Sequence, residues 1–317
     1  MSTLRDNPIL SRLADAQRII VAGAGGGFDV YAGLPLALAL HGAGKQVTLA
    51  NLSFTYLRGT DATWLAPHIC CVIANTKGED RYFPERTLAR WLVARGLEFP
   101  IFALEKVGVR RLRAAYQALA EHIQPDAIIL VDGGTDILMF GDEAGLGTPE
   151  EDMTSLAAVS RLQVPTRLVA CIGFGVDTFH GVCHAHFLEN VAALERDGAY
   201  LGAFSVPRSS DEGTAFIDAV AHAQAFTPQR PSIVNGSIAA AIAGRFGNAQ
   251  FTARTASSEL FINPLMGIYF GFELEGVTSR SYYLTQLEGT DSISEVAARI
   301  EAFRHTVTPR SRRSIPH

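Results

Sequence analysis

Lysine is the scarcest charged residue of this 317-residue sequence. It occurs at positions 45, 77 and 106, and arginine supplies the other 24 (27 − 3) basic residues. An enzyme that forms a Schiff base with its substrate would therefore have three lysines to use.

Cysteine is also scarce, and so are long apolar runs. The four cysteines are Cys70, Cys71, Cys171 and Cys183. So few thiols do not make a disulfide framework, and they fit the reduced state of the cytoplasm. No apolar run reaches the roughly 18 residues that cross a membrane, and the polar N-terminus lacks the apolar segment of a secretory signal. These absences predict a cytoplasmic protein with no membrane partner.

The sequence has no excess of positive charge, since its formal net charge is −5. That charge disfavours nucleic acid and anionic membranes as partners and leaves a small-molecule substrate as the expected one. Basic side chains are concentrated near the C-terminus, in "PRSRRS". We expect residues 306–317 to form a flexible basic tail.

Short apolar runs alternate with amphipathic helical segments along the chain. Seven runs have the nearly unbroken apolar character of strands buried on both faces: 18–23, 45–51, 68–75, 100–105, 126–132, 166–173 and 200–206. This alternation predicts a Rossmann-like α/β fold, that is, a doubly wound, mostly parallel sheet with helices on both faces. We expect one domain over residues 1–305, with residues 228–290 as a C-terminal elaboration packed on it.

In such a sheet, ligands bind beyond the carboxyl ends of the strands. The first strand is followed by a loop of four glycines and an aspartate: Gly23, Gly25, Gly26, Gly27 and Asp29. Glycine lets a backbone approach an anion closely. The dinucleotide pattern G-x-G-x-x-G nevertheless fails, because Phe28 stands where its third glycine belongs. We expect this loop to bind an anion or a nucleotide-like ligand; a tight turn of purely structural role is the alternative.

The acidic residue that would bind a nicotinamide ribose after the second strand is missing, and Asn51 occupies that region. NAD(P) is therefore a possible cofactor that the sequence does not favour. Lys77 and Lys106, which follow the third and fourth strands, could hold a phosphate or carboxylate or be solvated loop lysines. Gly133 and Gly134, which follow the fifth strand, are further candidates for substrate binding.

An acidic loop also follows the fifth strand. Asp136, Asp142 and Glu143 lie in the loop proper, where carboxylates can act as general acid or base, bind a divalent ion or hold sugar hydroxyls. The acidic run 150–152 follows Thr148 and Pro149, and acids are routine in the first turn of a helix. We predict a catalytic role within the first set and a structural role for the second.

The segment after the sixth strand, "GVDTFHGVCHAHF", adds Asp177, His180 and His184 as candidate catalytic groups. Histidine is the natural acid–base residue near neutral pH, and ordinary helix-start or core histidines are the alternative. A zinc site needs three or four converging ligands, which spacing alone does not establish. A divalent metal is therefore possible but not favoured, and we assign no metal ligand from the sequence.

Three stretches together resemble a known family: "GAGGGFDVYAGLP", "VDGGTDILMFGDEAGLGTPEED" and "GFGVDTF". They are similar to the loops of a bacterial and archaeal family known as domain of unknown function 1152. The matching positions are Gly25, Gly26, Gly27, Asp29, Gly33, Pro35, Asp132, Gly133, Gly134, Asp136, Gly141, Asp142, Glu143, Pro149 and Asp152. The resemblance covers the chain to about residue 275 and implies a Rossmann-like fold, but no reaction. Phe28 and the histidine-rich run after Asp177 depart from the family pattern.

Three functions are compatible with these observations. The first is a non-redox lyase, hydrolase or transferase. Its nucleotide-like, phosphorylated or carboxylated substrate would be held by the glycine-rich loop, and loop Asp, Glu and His residues would supply acid–base chemistry. The missing ribose acid and the many carboxylates favour it. The second is an NAD(P)-dependent oxidoreductase, and the third is a non-catalytic sensor of a nucleotide-like ligand. The apolar segment 260–274 indicates either the interface of a homo-oligomer or a buried core strand.

Overall fold

The structure is a computed structural model that describes residues 7–314. Within that range the chain is an α/β protein with one nine-stranded sheet. The strands are β1 Arg18–Gly23, β2 Gln46–Ser53, β3 Thr63–Ala66, β4 Ile69–Val72, β5 Ile101–Glu105, β6 Ala127–Asp132, β7 Thr166–Cys171, β8 Tyr200–Ser205 and β9 Ile268–Glu273.

The helices of the described residues cover both faces of this sheet. They are α1 Pro8–Arg12, α2 Asp29–Ala32, α3 Leu34–Gly42, α4 Pro84–Val93, α5 Val109–Ile123, α6 Pro149–Ser160, α7 His184–Arg196, α8 Asp211–Phe226, α9 Ile233–Ile242, α10 Leu274–Arg280 and α11 Ile293–Arg304. Single 3-10 turns lie at Leu57–Gly59, Asp136–Leu138, Val176–His180, Ala253–Thr255, Pro264–Gly267 and Leu284–Leu287. None of the helices described has the length and apolar character needed to cross a membrane.

The sheet order is β3-β4-β5-β2-β1-β6-β7-β9-β8, and its five central strands are parallel. These five strands correspond to five of the seven predicted runs, so the mostly parallel α/β sheet is confirmed. The runs 68–75 and 200–206 also form strands, β4 and β8. Both pair with antiparallel neighbours, which the sequence did not indicate.

Two local features explain these antiparallel pairs. Strands β3 and β4 form a hairpin through Pro67 and His68, and His68 has a φ of 70°. Such a short turn reverses the chain, whereas a parallel neighbour needs a long crossover. At the other edge, β9 lies between β7 and β8 and is antiparallel to both. The segment 260–274, left undecided by its sequence, thus supplies a buried strand of the sheet.

The hydrophobic core is divided between the two faces of the sheet. Along β1, Ile20 and Ala22 pack into one core, whereas Ile19 and Val21 pack into the other. Successive side chains of a strand point to opposite faces, so a central strand must be apolar at every position. This is why the parallel strands were recognisable as unbroken apolar runs.

The C-terminal segment of the described chain lies against α7 and the loop after β6. Arg310 forms ion pairs with Asp142 (3.0 Å) and Glu189 (2.5 Å), and the His186 Nε2 atom is 3.1 Å from the Ser311 carbonyl oxygen. The sequence predicts a flexible tail over residues 306–317. In the structure this segment makes contacts as far as Arg313, which pairs with Glu189, and residues 315–317 lie outside the described range. Flexibility of the segment stays a prediction.

Candidate functional site

A cleft of about 610 Å³ lies at the carboxyl ends of the parallel strands, and we call it the central cleft. Its floor comes from the loop after β1 and the loop after β6, because adjacent parallel strands end at the same edge. Its outer wall comes from residues 229–234 and Arg254. The position agrees with the rule that ligands bind beyond the carboxyl ends of such strands.

Five aspartates meet in this cleft, and they come from four segments: the loop after β1, the end of β6 with its loop, the first turn of α6 and the loop after β7. They are Asp29, Asp132, Asp136, Asp152 and Asp177, and we call them the acidic cluster. All five are buried, with exposed fractions of 2–8%. So many carboxylates in one buried site repel one another unless protons or cations neutralise them.

Backbone donors hold four of the five carboxylates. The bonds run from Gly25 N–H to Asp29 (2.7 Å), from Ile137 N–H to Asp132 (3.2 Å), from Thr148 N–H to Asp136 (2.7 Å) and from Thr135 N–H to Asp177 (2.7 Å). The exception is Asp152, whose Oδ1 atom is buried without a hydrogen-bond partner among the described residues. An unpartnered buried oxygen is costly, and it indicates that a ligand belongs beside it.

The electrostatics of the cluster follow from its burial. Burial raises the pKa of the Asp29 carboxyl from its usual 3.8 to about 7. Burial, followed by repulsion from neighbouring carboxylates, raises the pKa of Asp132 and of Asp152 well above the usual value. The pKa values of Asp136 and Asp177 are also raised, first by burial. The site therefore stabilises bound positive charge.

Three members of the cluster could hold a metal ion together. Asp29, Asp132 and Asp152 each offer a carboxylate oxygen, and these oxygens all lie within 4.8 Å of one another. Oxygens on opposite sides of Mg²⁺ are about 4.2 Å apart, and those around Ca²⁺ about 4.8 Å, twice the respective bond lengths. The spacing suits a hard divalent cation, and all-oxygen ligands are those that Mg²⁺, Mn²⁺ and Ca²⁺ prefer.

Glycines surround the cluster because the carboxylates leave no room for a side chain. A Cβ on Gly25 would lie 2.7 Å from Asp29 Oδ2, and one on Gly134 would lie 2.7 Å from Asp177 Oδ2. A Cβ on Gly133 would be 2.9 Å from Asp29 Oδ1. Gly25, Gly133 and Gly134, which the sequence suggests as ligand-binding residues, thus serve in this geometry to admit aspartate oxygens.

Two amides of the glycine-rich loop are used within the protein. Gly25 N–H donates to Asp29, and Gly27 N–H donates to the Leu52 carbonyl (3.0 Å). Asn51 Nδ2 donates to the Gly27 carbonyl (2.8 Å) and to Glu85 (2.7 Å), so it braces the loop rather than facing the cleft. These amide groups are therefore committed to the protein itself.

Two arginines face the acidic cluster across the cleft. Arg230 and Arg254 both line it, and Arg254 Nη1 donates to the Pro231 carbonyl (3.2 Å), which joins the two wall segments. Among the residues that the structure describes, no carboxylate forms an ion pair with either arginine. A guanidinium fork matches phosphate and carboxylate groups, so this wall can bind an anion.

His180 lines the cleft, and its imidazole lies close enough to Asp136 to offset part of the rise that burial causes in the pKa of that carboxyl. His184 lies farther back, where its ring packs on Phe174 with 5.0 Å between centroids. Burial lowers the pKa of His184, so its imidazole is neutral at pH 7. Of these two predicted histidines, His180 is therefore the one placed beside the acidic cluster.

Several predicted residues do not line the central cleft. Glu143 is fully buried and accepts bonds from Phe140 N–H (2.9 Å) and Gly141 N–H (2.8 Å). Asp142 pairs with Arg310 outside the cleft. The others are Gly23 at the end of β1, Gly134 beside Asp177, Lys77 on the surface and Lys106, which pairs with Glu151.

Sequence reasoning assigned no role in the site to four charged residues that line the cleft: Asp132, Asp152, Arg230 and Arg254. Asp132 ends a predicted strand, so the carboxyl-end rule already pointed to it. Asp152 was assigned a structural role, because an acid in the first turn of a helix has an ordinary explanation. The arginines come from residues 228–290, where no motif or periodicity indicated a site.

A substitution at Gly147 tests how closely the backbone packs against the acidic cluster. We expect Gly147→Ala to destabilise the protein by about 2–4 kcal/mol, since its Cβ would lie 2.1 Å from Asp136 Oδ2 and its φ is 75°. Gly289→Ala is the matched control, because Gly289 has a φ of 77° but open space around it. Urea unfolding should show a loss of about 1 kcal/mol for the control. Equal losses in both variants would contradict the crowding.

Comparison with known proteins gives one match. A family model described as "Protein of unknown function (DUF1152)" matches residues 60–307, which include the loops after β6 and β7 and begin after the glycine-rich loop. No curated protein and no solved structure matches the chain. Since the matched residues make up more than half of the chain, this protein belongs to the DUF1152 family.

Proposed function

We propose that the protein is a divalent-cation-dependent enzyme that hydrolyses or transfers a group of a phosphorylated or carboxylated small molecule. The observation that carries this proposal is the buried acidic cluster facing two arginines across one cleft. A cation bound by carboxylates can polarise a phosphoryl or carbonyl oxygen and lower the pKa of a bound water. Such chemistry needs no redox cofactor.

The cation is supported by two independent observations. The carboxylate oxygens of Asp29, Asp132 and Asp152 lie close enough to share one ion. Asp152 Oδ1 is buried without a hydrogen-bond partner in the described chain. A cation would serve as that partner and would offset the mutual repulsion of the carboxylates.

We assign the substrate anion to Arg230 and Arg254, on the outer wall of the cleft, rather than to the glycine-rich loop. The Gly25 and Gly27 amides are engaged within the protein, and the loop floor is lined by carboxylates, which repel an anion. Arg230 and Arg254 could pair with the anion, and a cation held by the acidic cluster would offset the charge that the arginines leave. His180 and Asp136 line the same space, which supports a role for them in proton transfer.

We propose the Rossmann-like description for the fold as well. When the five parallel strands are numbered alone, the order β5-β2-β1-β6-β7 reads 3-2-1-4-5, which is that of a doubly wound sheet. An NAD(P)-dependent oxidoreductase is the weaker alternative, because Asn51 is committed to Gly27 and Glu85. Cytoplasmic location and homo-oligomer formation stay predictions.

Calorimetric titration tests the proposal. We expect chelator-treated protein to bind one Mn²⁺, and the Mn²⁺-loaded protein to bind inorganic phosphate. Arg254→Ala should weaken phosphate binding at least about tenfold and leave Mn²⁺ binding unchanged, since a charge-assisted bond contributes about 1.5–3 kcal/mol.

Arg245→Ala is the control, because Arg245 also donates one bond to a backbone carbonyl, that of Gln250 (3.0 Å), but lies outside the cleft. It should change neither affinity. Absence of Mn²⁺ binding, or phosphate binding that Arg254→Ala does not affect, would contradict the proposal.

A further inference from the structure

A second cavity of about 400 Å³ adjoins the central cleft, and we call it the side chamber. From it we infer that the substrate is amphipathic: its anionic group binds in the central cleft, and an apolar group of about the size of an aromatic ring system fills the chamber. This inference rests on the proposed function and adds the substrate class.

The two cavities share part of their walls. Asp177, His180, Ile233, Val234 and Arg254 line both of them. A ligand whose charged end reaches Arg254 in the cleft can therefore extend past that side chain into the chamber. The chamber is thus a continuation of the cleft rather than a separate surface site.

The inner walls of the chamber are mainly apolar. Val176, Leu260, Ile262 and Met266 contribute aliphatic or thioether surface, and Ile262 and Met266 are buried. Binding sites for small organic groups have this character: apolar walls with a few polar groups at one side. A fully charged ligand would lose its hydration there without compensation.

The rim of the chamber carries exposed aromatic rings. Phe179 is 81% exposed and Phe261 is 60% exposed, and both line the chamber. Exposed apolar side chains that lie together mark a surface that a partner or ligand covers. An apolar group entering from the cleft would pack on these rings, which supports the same occupant.

Binding of two phosphonates tests this inference. The probes are 1-naphthylmethylphosphonate and ethylphosphonate, whose carbon–phosphorus bonds resist hydrolysis, titrated into Mn²⁺-loaded protein. We expect the naphthyl probe to bind at least about tenfold more tightly, since even one methylene group in an apolar pocket changes affinity tenfold or more.

Ser258→Trp should remove that preference, because an indole at this wall fills the chamber. Ala256→Trp, an exposed position two residues away that does not line the chamber, is the control and should retain it. A second pair of variants removes a side chain instead of adding one, so it does not overpack the chamber. Phe261→Ala should weaken binding of the naphthyl probe. Phe246→Ala should not, since Phe246 packs on Phe261 (5.7 Å between centroids) outside the chamber.

The possible outcomes separate the amphipathic substrate from the proposed function. Equal affinity for the two probes would overturn the inference that the substrate is amphipathic, but it would not affect the proposed anion site. A naphthyl preference that survives both Ser258→Trp and Phe261→Ala would overturn the chamber as its location. Failure of both probes to bind would overturn the proposed function and this inference together.

Discussion

Asp152→Asn is expected to raise the melting temperature of the chelator-treated protein and to remove the stabilisation that Mn²⁺ gives to the unaltered protein. The first effect is a gain of stability without Mn²⁺, and the second is the loss of the stability that Mn²⁺ adds. A general loss of structure would not produce both. The first should amount to about 1–3 kcal/mol, the cost of an unsatisfied buried group, or roughly 2–6 °C. The second should amount to about 2.7 kcal/mol at a Mn²⁺ concentration of 100 Kd.

The sign of the first effect follows from the raised pKa of Asp152, which burial and then repulsion from Asp132 cause. A carboxyl group whose pKa is higher in the folded than in the unfolded chain binds its proton more tightly when folded. The folded state therefore loses stability as the pH rises above the unfolded value of about 3.9. At neutral pH an uncharged amide avoids this loss. The substitution also breaks no hydrogen bond of Asp152 Oδ1, because that atom is buried without a partner in the described chain.

Asp211→Asn is the matched control for this substitution. Asp152 and Asp211 both stand in the first turn of a helix, but Asp211 is exposed. Its replacement should cost about 0.3–1 kcal/mol of favourable helix-dipole interaction and leave the response to Mn²⁺ intact. Differential scanning fluorimetry with and without chelator measures both variants. A lower melting temperature for Asp152→Asn with an intact Mn²⁺ response would refute the cation site.

Glu143→Ala is expected to lower the free energy of unfolding by about 3–5 kcal/mol without changing Mn²⁺ affinity. The Glu143 carboxylate is fully buried and accepts bonds from two backbone amides and from Asn190 Nδ2 (2.6 Å), with Arg310 at 3.3 Å. Its removal leaves these donors unpaired inside the protein. Urea unfolding and Mn²⁺ titration measure the two quantities.

Glu189→Ala serves as the comparison, because Glu189 also pairs with Arg310 but is about one third exposed. Its loss should cost no more than about 1 kcal/mol, as is usual for exposed ion pairs. The opposite outcome is a Glu143→Ala protein that is as stable as Glu189→Ala but binds no Mn²⁺. It would contradict the structural role of Glu143 and favour the catalytic role predicted from the sequence.

The sequence predicted the parallel strands well, because each is apolar at every position and so differs from the amphipathic helices. It missed β3, "TWLA", which is short and half-exposed, and it could not give the direction of β4. That direction depends on the turn at Pro67 and His68, where a non-glycine residue takes a positive φ. Local patterns identify a buried strand but not which neighbour it pairs with.

The acidic cluster could be predicted in part. Asp29, Asp136 and Asp177 were found because each follows a strand at the same edge of the sheet. Asp152 has the sequence context of any acid in the first turn of a helix, as Asp211 does. What separates the two is burial, and burial depends on how α6 packs against the loop after β1, which no local pattern encodes.

The position of β9 has a consequence for the nascent chain. Strand β8 emerges from the ribosome long before β9, yet β9 is its hydrogen-bonding neighbour and also covers the free edge of β7. Until residues 268–273 are synthesised, both strands present unpaired backbone groups, which invite pairing with other chains. A chain that terminates before β9 should therefore aggregate, whereas release of the full-length chain lets the sheet close as one of the last steps of folding.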